Sequence, residues 1–301
     1  MAGEFEFINW LRRQREPAPD FVLVPPGDDL AVLKWPPGDM LLVGADQVLD
    51  GFHFDSATHT PRQIGRKAMN RNLSDCAAMA CLPVAAVATV AAPRGAGVEY
   101  LKELYLGLRE AGDEFACPVV GGDTGSWGGK LALSVTILGR SAGVEPVRRS
   151  GARPGDVICV TGPLGGSLAG RHMDFRPRVT EAVTLARRCR PTAMIDLSDG
   201  PSRDLAHVCR ESNVGAVVRA ADVPIHDDVA RLRHSGRSPL EHALHDGEDY
   251  ELLFTIPPAA LKDLPIPAHV IGAIQSEPGV LLEYKDGRRE ALEAKGWEHG
   301  L

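Results

Sequence analysis

The stretch Ala193-Met194-Ile195-Asp196-Leu197-Ser198-Asp199-Gly200-Pro201-Ser202-Arg203-Asp204-Leu205 decides the fold class. A short apolar run, of strand length, enters an acidic turn that ends in glycine. Beyond the turn Leu205, Val208 and Cys209 share one helical face, and Asn213 and Gly215 supply a helix stop. Strand, acidic turn, helix is the unit, and it recurs along the chain in both directions. Upstream, Met40–Val43 reads as a strand ending at Asp46. Thr60-Pro61 opens a helix over 61–81, with Ile64, Ala68, Leu73 and Ala77 at near-helical spacing and Pro83 closing it. Val84–Ala91 reads as a strand, and 98–115 as a helix with Leu101, Leu104, Tyr105 and Leu108 on one face. Val119-Val120 reads as a strand end passing into Gly121-Gly122-Asp123-Thr124. Leu131, Leu133, Val135 and Ile137 alternate with period two, as a strand does. After a Gly-, Pro- and Arg-rich connector at 139–156 the pattern resumes. Val157–Val160 is a strand, Gly162–Gly166 a glycine-rich loop leading to a helix, and Tyr250–Ile256 an apolar strand after Gly247-Glu248-Asp249. Strands alternating with helices predict an α/β protein of two similar domains, 1–145 and 146–301.

Composition narrows the function. The 301 residues carry 33 basic and 40 acidic side chains, a net charge of −7, which argues against a general nucleic-acid binder. The hydrophobic fraction of 44% is that of a folded chain, and no apolar run reaches the ~20 residues of a membrane span. Met1-Ala2-Gly3-Glu4-Phe5-Glu6 lacks the pattern of a secretory signal, so a cytoplasmic location is expected. Cys76, Cys81, Cys117, Cys159, Cys189 and Cys209 show no CxxC spacing and read as buried thiols in a reducing compartment.

Acids sit repeatedly beside glycine at the ends of these elements: Asp28-Asp29, Asp46, Asp123, Asp196, Asp199 and Glu248-Asp249, with Asp75 inside a helix beside Asn72. Taken singly, an acid after glycine in a loop is usually a turn former or a helix cap. Their number points to convergence, and clustered carboxylates repel unless a cation lies among them. Oxygen donors without organised Cys or His favour magnesium or manganese, which also bind substrate phosphates. No GxxxxGK[ST] loop, GxGxxG fingerprint, kinase HRD or DFG set, or GxSxG elbow is present. A nucleotide must therefore be held by other means.

Taken in order, the segments Gly27-Asp28-Asp29-Leu30-Ala31-Val32, Gly51-Phe52-His53-Phe54, Asn72-Leu73-Ser74-Asp75, Gly121-Gly122-Asp123-Thr124, Arg149 to Asp156, Val160-Thr161-Gly162, Ile195 to Gly200 and Gly247 to Thr255 resemble the thiamine-monophosphate kinase family, in the aminoimidazole ribonucleotide synthetase superfamily. The resemblance spans nearly the whole chain. It implies the two-domain fold of that superfamily, with an N-terminal ATP- and magnesium-binding domain and N-terminal sheets pairing across a homodimer. It implies ATP-dependent phosphorylation of thiamine monophosphate to thiamine diphosphate, by direct transfer assisted by several magnesium ions. By motif match it gives Asp29, Asp46, Asp75, Asp123, Asp196 and Asp199 as metal ligands. Tyr105, Gly122, Asp123, Arg149 and Ser198 become ATP contacts, and His53, Glu248 and Trp297 thiamine-phosphate contacts. Each residue has a plainer reading: Tyr105 and Trp297 as packing groups, Arg149 as a solvated linker side chain, His53 as a structural histidine, Glu248 as a turn residue.

The chain departs from the family pattern at Gly44-Ala45, where side-chain hydroxyls are usual, at Pro201, where leucine is common, and in its last residues Trp297 to Leu301. A sister synthetase of the superfamily and a non-catalytic nucleotide-binding homologue are the alternatives.

Overall fold

The computed structural model describes residues 7, 10–11, 13–14, 19–24, 31–141 and 143–295. The chain divides into two compact units. The first holds Met1–Leu73 and Leu82–Gly143, the second Ser74–Cys81 and Val144–Leu301.

In the first unit β1 (Val22–Val24) and β2 (Val32–Leu33) pair antiparallel. Four longer strands form a sheet: β3 (Leu41–Leu49), β4 (Leu82–Pro93), β5 (Val119–Trp127) and β6 (Ala132–Arg140), in the order β3-β6-β4-β5. β6 runs antiparallel to both β3 and β4. β4 and β5 are parallel, and the crossover between them is helix α2 (Val98–Asp113). Leu133, Val135 and Ile137 of β6 are buried, on the face that the period-two alternation marked. Helix α1 (Pro61–Ala78) starts where Thr60 and Pro61 indicated. The Thr60 N–H donates to Gln63 Oε1 at 2.9 Å and the Gln63 N–H to Thr60 Oγ1 at 3.3 Å, a reciprocal cap.

Two glycines let α1 and α2 approach closely. A Cβ on Gly65 would lie 2.0 Å from the Leu104 carbonyl oxygen, and one on Gly107 would lie 2.0 Å from that of Arg62. Arg62 reaches Glu110 across the same contact, and Arg66 Nη2 reaches Glu114 Oε1 at 2.5 Å.

The second unit holds a seven-stranded sheet. Its strands are β7 (Val157–Val160), β8 (Ala193–Asp196), β9 (Gly215–Arg219), β10 (Leu252–Ile256), β11 (His269–Gln275), β12 (Gly279–Glu283) and β13 (Arg289–Ala291), ordered β13-β12-β9-β11-β7-β10-β8. All its pairings are antiparallel except β9 with β12. Its helices are α3 (Val179–Arg188), α4 (Pro201–Ser212) and α5 (Pro239–His245). Ile158, Val160, Ile195, Leu197, Leu205, Val208 and Leu253 belong to one buried cluster. α4 closes on Asn213, which adopts φ 54°, and opens with Pro201 in its first turn, where proline costs no hydrogen bond.

Four local expectations are revised. Asp46 lies within β3, because that strand pairs with β6 from Leu41↔Arg140 through Leu49↔Ala132. Gly121–Thr124 continues β5, paired with Val87–Val90 of β4. A Cβ on Gly122 would sit 2.0 Å from the Ala88 carbonyl oxygen, so the glycine permits the strand contact where a loop was expected. Gly162–Gly166 leads into two 3-10 turns, Ser167–Ala169 and Arg171–Met173, before α3 begins beyond Pro177. Tyr250 precedes β10 with φ 53°, which an extended strand does not accommodate.

Among the described residues no helix is long and apolar enough to cross a membrane.

Candidate active-site elements

In the first unit, Asp46 faces the third and fourth turns of α1. Arg71 Nε donates to Asp46 Oδ2 at 2.5 Å, and the Gln47 N–H donates to Asp46 Oδ1 at 2.8 Å. The Asp46 N–H donates to Asn72 Oδ1 at 3.2 Å, while Asn72 Nδ2 donates to the Ala68 carbonyl at 3.0 Å. Asn72 is buried, so it pins strand to helix. Asp123, on β5, accepts the Thr124 N–H at 2.9 Å and is exposed. His53 is buried in the turn after β3, its Nδ1 accepting the Leu49 N–H at 3.0 Å; the ring proton therefore sits on Nε2. The wholly buried Lys67 donates to the His53 carbonyl at 2.6 Å. Tyr105 is buried edge-on against Trp10, ring centroids 5.5 Å apart.

In the second unit two motifs far apart in sequence are knitted together. β8 and β10 pair Asp196 with Leu252. Beyond them, the Leu197 N–H donates to the Glu251 carbonyl (2.8 Å), the Tyr250 N–H to the Leu197 carbonyl (2.9 Å) and the Glu248 N–H to the Ser198 carbonyl (2.8 Å). Ser198, Asp199 and Glu248 thus share one small loop cluster. The segment is strained: Gly247, Glu248 and Tyr250 have φ of 71°, 52° and 53°. Each non-glycine residue there costs about 1–2 kcal/mol, offset by the hydrogen bonds just named. A Cβ on Gly247 would meet the Ser198 carbonyl oxygen at 2.7 Å.

The acid-bearing turn is bonded on both sides. Ser74 Oγ donates to Asp196 Oδ2 at 2.6 Å. The Asp199 N–H donates to Asp204 Oδ2 at 3.1 Å. Burial, together with the charges of Asp196 and Asp199, holds the Asp204 carboxyl well above the usual carboxylate range; the Asp199 N–H and Arg149 pull the other way. Glu248 pairs with His172 Nδ1 at 2.9 Å. Arg178 grips Glu251 through Nε (2.9 Å) and Nη2 (2.6 Å), and Thr161 Oγ1 adds a third donor at 2.6 Å. Phe175 stacks on Tyr250 with centroids 3.7 Å apart.

Sequence reasoning missed Asp204, Arg178, His172 and the role of Ser74. The first had a signal, an acid in the first turn of the helix that follows Asp199. The other three act through contacts to residues distant in the chain, which no local pattern announces. Asp29 and Trp297 lie outside the described residues.

Asp249 gives a pH prediction. It accepts both Gly165 N–H contacts at 3.0 Å and pairs with Arg171 at 2.8 Å, yet burial pushes its carboxyl up to about 7. The unfolded chain's aspartate titrates at about 3.9. Between those values the folded state binds more protons, so this group's contribution to stability falls as pH rises from about 4 to about 7. From pH 5 to pH 8 the urea midpoint of the wild type should therefore fall relative to that of Asp249→Asn. Equal changes in the two proteins would refute the assignment.

The donors considered for a metal are carboxylate oxygens, the right kind for a hard divalent cation. The mutual repulsion felt by Asp204 is what such a cation relieves. Among the described residues no three His, Cys, Asp or Glu side chains are grouped to hold an ion by themselves.

Comparison with known proteins adds the relatives. Residues 27–141 match the family described as AIR synthase related protein, N-terminal domain. A thiamine-monophosphate kinase of Rhodopirellula baltica is 38% identical over 310 residues, covering 99% of this chain and 97% of its own. The crystal structure of thiamine-monophosphate kinase from Stenotrophomonas maltophilia K279a is 31% identical, with a TM-score of 0.80 over 94% of this chain and 96% of that one. The structure of AaThiL complexed with AMPPCP and TMP is 29% identical, with a TM-score of 0.77 over 99% and 97%.

Proposed function

The chain belongs to the thiamine-monophosphate kinase family, and from that premise we propose how it works: it phosphorylates thiamine monophosphate with ATP, giving thiamine diphosphate and ADP, by direct in-line transfer. One observation carries the reading, the 38% identity to a kinase of that name along the length of both chains.

The acceptor is itself a phosphate. Its second pKa is about 6, so at neutral pH it is largely a dianion and needs no general base. The barrier is the repulsion of two anions and their alignment. We assign Asp29, Asp46, Asp75, Asp123, Asp196 and Asp199 to hold magnesium ions, which when bound would neutralise phosphate charge. The chain's own residues then orient and bind. Ser74 fixes the Asp196 carboxylate, and the Asp204 carboxyl group fixes the backbone at Asp199. Gly122, Asp123, Tyr105, Arg149 and Ser198 are assigned to the nucleotide. Glu248, held by His172, offers a negative charge for the cationic thiazolium, with His53 and Trp297 as its companions on the thiamine side. Tyr105 also packs against Trp10, and His53 also accepts the Leu49 N–H.

A homodimer and a cytoplasmic location belong to the same proposal, as do an ATP- and magnesium-binding domain over 1–145 and a second domain over 146–301. β3 is an edge strand nine residues long, and its Leu41 and Val43 are 54% and 63% exposed. Such an edge invites a partner sheet. All six cysteines are free thiols, which suits a reducing compartment.

Incubation with ATP, magnesium and thiamine monophosphate should yield thiamine diphosphate and ADP in equal amounts. Nucleotide binding without any transfer to thiamine monophosphate would overturn the proposal.

A further inference from the structure

Asp46 is engaged by the chain's own donors. Its Oδ2 takes the Arg71 Nε–H at 2.5 Å and its Oδ1 takes the Gln47 N–H at 2.8 Å. The pairing is built in: Asn72, the residue after Arg71, is anchored to the Ala68 carbonyl and holds the Asp46 N–H, so helix and strand keep Arg71 opposite Asp46. The two side chains are mostly shielded, 14% and 29% exposed. An arginine does not lose its proton at any working pH. The residues before Asp46 on the strand, Gly44 and Ala45, bring no side-chain oxygen that could recruit a cation in its place.

We propose that Arg71 is a resident competitor for the divalent cation at Asp46, so that a free metal ion loads this carboxylate weakly until the guanidinium is drawn away. This rests on the reading that Asp46 is a metal ligand. The guanidinium and the cation want the same oxygens, and each repels the other. A phosphate oxygen is the natural alternative acceptor for a guanidinium, in a paired geometry. Arrival of a phosphate-bearing substrate would release Asp46 and keep the positive charge in the site. The arrangement makes metal loading at Asp46 follow substrate binding instead of preceding it.

The test is direct binding of Mn2+ alone to the full chain without nucleotide, read from the electron paramagnetic resonance signal of the free ion. Five proteins are compared: wild type, Arg71→Gln, Arg71→Lys, Asp46→Asn and the double variant of Arg71→Gln with Asp46→Asn, each checked for an unchanged circular dichroism spectrum. Arg71→Gln should tighten Mn2+ binding several-fold, up to about tenfold, and the gain should vanish in the Asp46→Asn background. Arg71→Lys, which keeps the charge, should resemble the wild type and serves as the conservative control. If Asp46→Asn weakens binding while Arg71→Gln leaves it unchanged, the competitor role is overturned and the ligand reading stands. If neither single variant alters binding, the ligand reading of Asp46 falls and takes the proposal with it. An equal gain from Arg71→Gln in both backgrounds would mark a general charge effect and also overturn the proposal.

Discussion

Replacing Asp196 with asparagine is expected to cut turnover roughly a thousandfold while leaving thermal stability unchanged or slightly raised. The two effects have opposite origins. Asp196 ends β8, is buried, and accepts the Ser74 hydroxyl at 2.6 Å. Asparagine has the same shape and keeps an oxygen for that bond. What disappears is one negative charge, and with it the assigned hold on the cation. The same charge is one of the causes that keeps the Asp204 carboxyl protonated to unusually high pH. Removing it relieves repulsion among crowded carboxylates and keeps the bond to Ser74, which is why thermal stability is expected to hold. Such a gain would mark a site arranged for function at the expense of stability. Turnover and melting temperature without metal, measured on the same preparation, check this. Near-normal turnover would remove Asp196 from the metal site. A drop of many degrees in melting temperature would mean that its charge is structural.

The second large effect concerns stability. Gly107→Val should destabilise the protein by about 3 kcal/mol or more. A Cβ at Gly107 would stand 2.0 Å from the Arg62 carbonyl oxygen and 2.8 Å from the Arg66 nitrogen, both backbone atoms of α1. Backbone cannot rotate out of the way, so the helices must part. Parting them disturbs the close contact at Gly65 and the ion pairs of Arg62 with Glu110 and Arg66 with Glu114. The paired contact adds a sharper expectation. Gly65→Ala and Gly107→Ala each force the same separation, so their combined cost should be well below the sum of the single costs. Urea unfolding of the two single variants and the double variant measures this. Full additivity, or a cost below about 0.5 kcal/mol for either alanine, would contradict the close packing.

Much of this architecture was legible where the cause is local. Thr60-Pro61 specifies a helix start, and α1 begins there, with Gln63 closing the cap. Alternation over Leu131–Ile137 reflects one buried face, and β6 follows it. Asn213 stops α4 because an asparagine tolerates the left-handed conformation found there. The misreadings share one cause, contacts to residues far along the chain. Glycine at 121 and 122 reads as a turn, but β4 supplies a small-residue partner and the strand continues. Asp46 reads as a strand end, but β6 pairs with three residues beyond it. The loop at Gly162–Gly166 reads as a helix entry, but Gly165 and Gly166 take φ of 82° and 73°, and Asp249, 84 residues on, holds the Gly165 N–H.

Of the site, the residue types were legible and the arrangement was not. Carboxylates beside glycine announce themselves in the sequence. That Ser198 and Glu248 share a hydrogen bond between their backbones, or that Arg71 covers Asp46, follows from the folded sheet alone.

A direct, cation-assisted transfer between two phosphate-bearing molecules leaves a stereochemical mark on the phosphorus. The most direct measurement uses ATP made chiral at its γ-phosphorus with oxygen isotopes, and reads the configuration of the terminal phosphorus in the thiamine diphosphate formed. A single in-line displacement predicts inversion. Retention, which requires a phosphorylated enzyme in between, or recovery of the label only as inorganic phosphate, would contradict it.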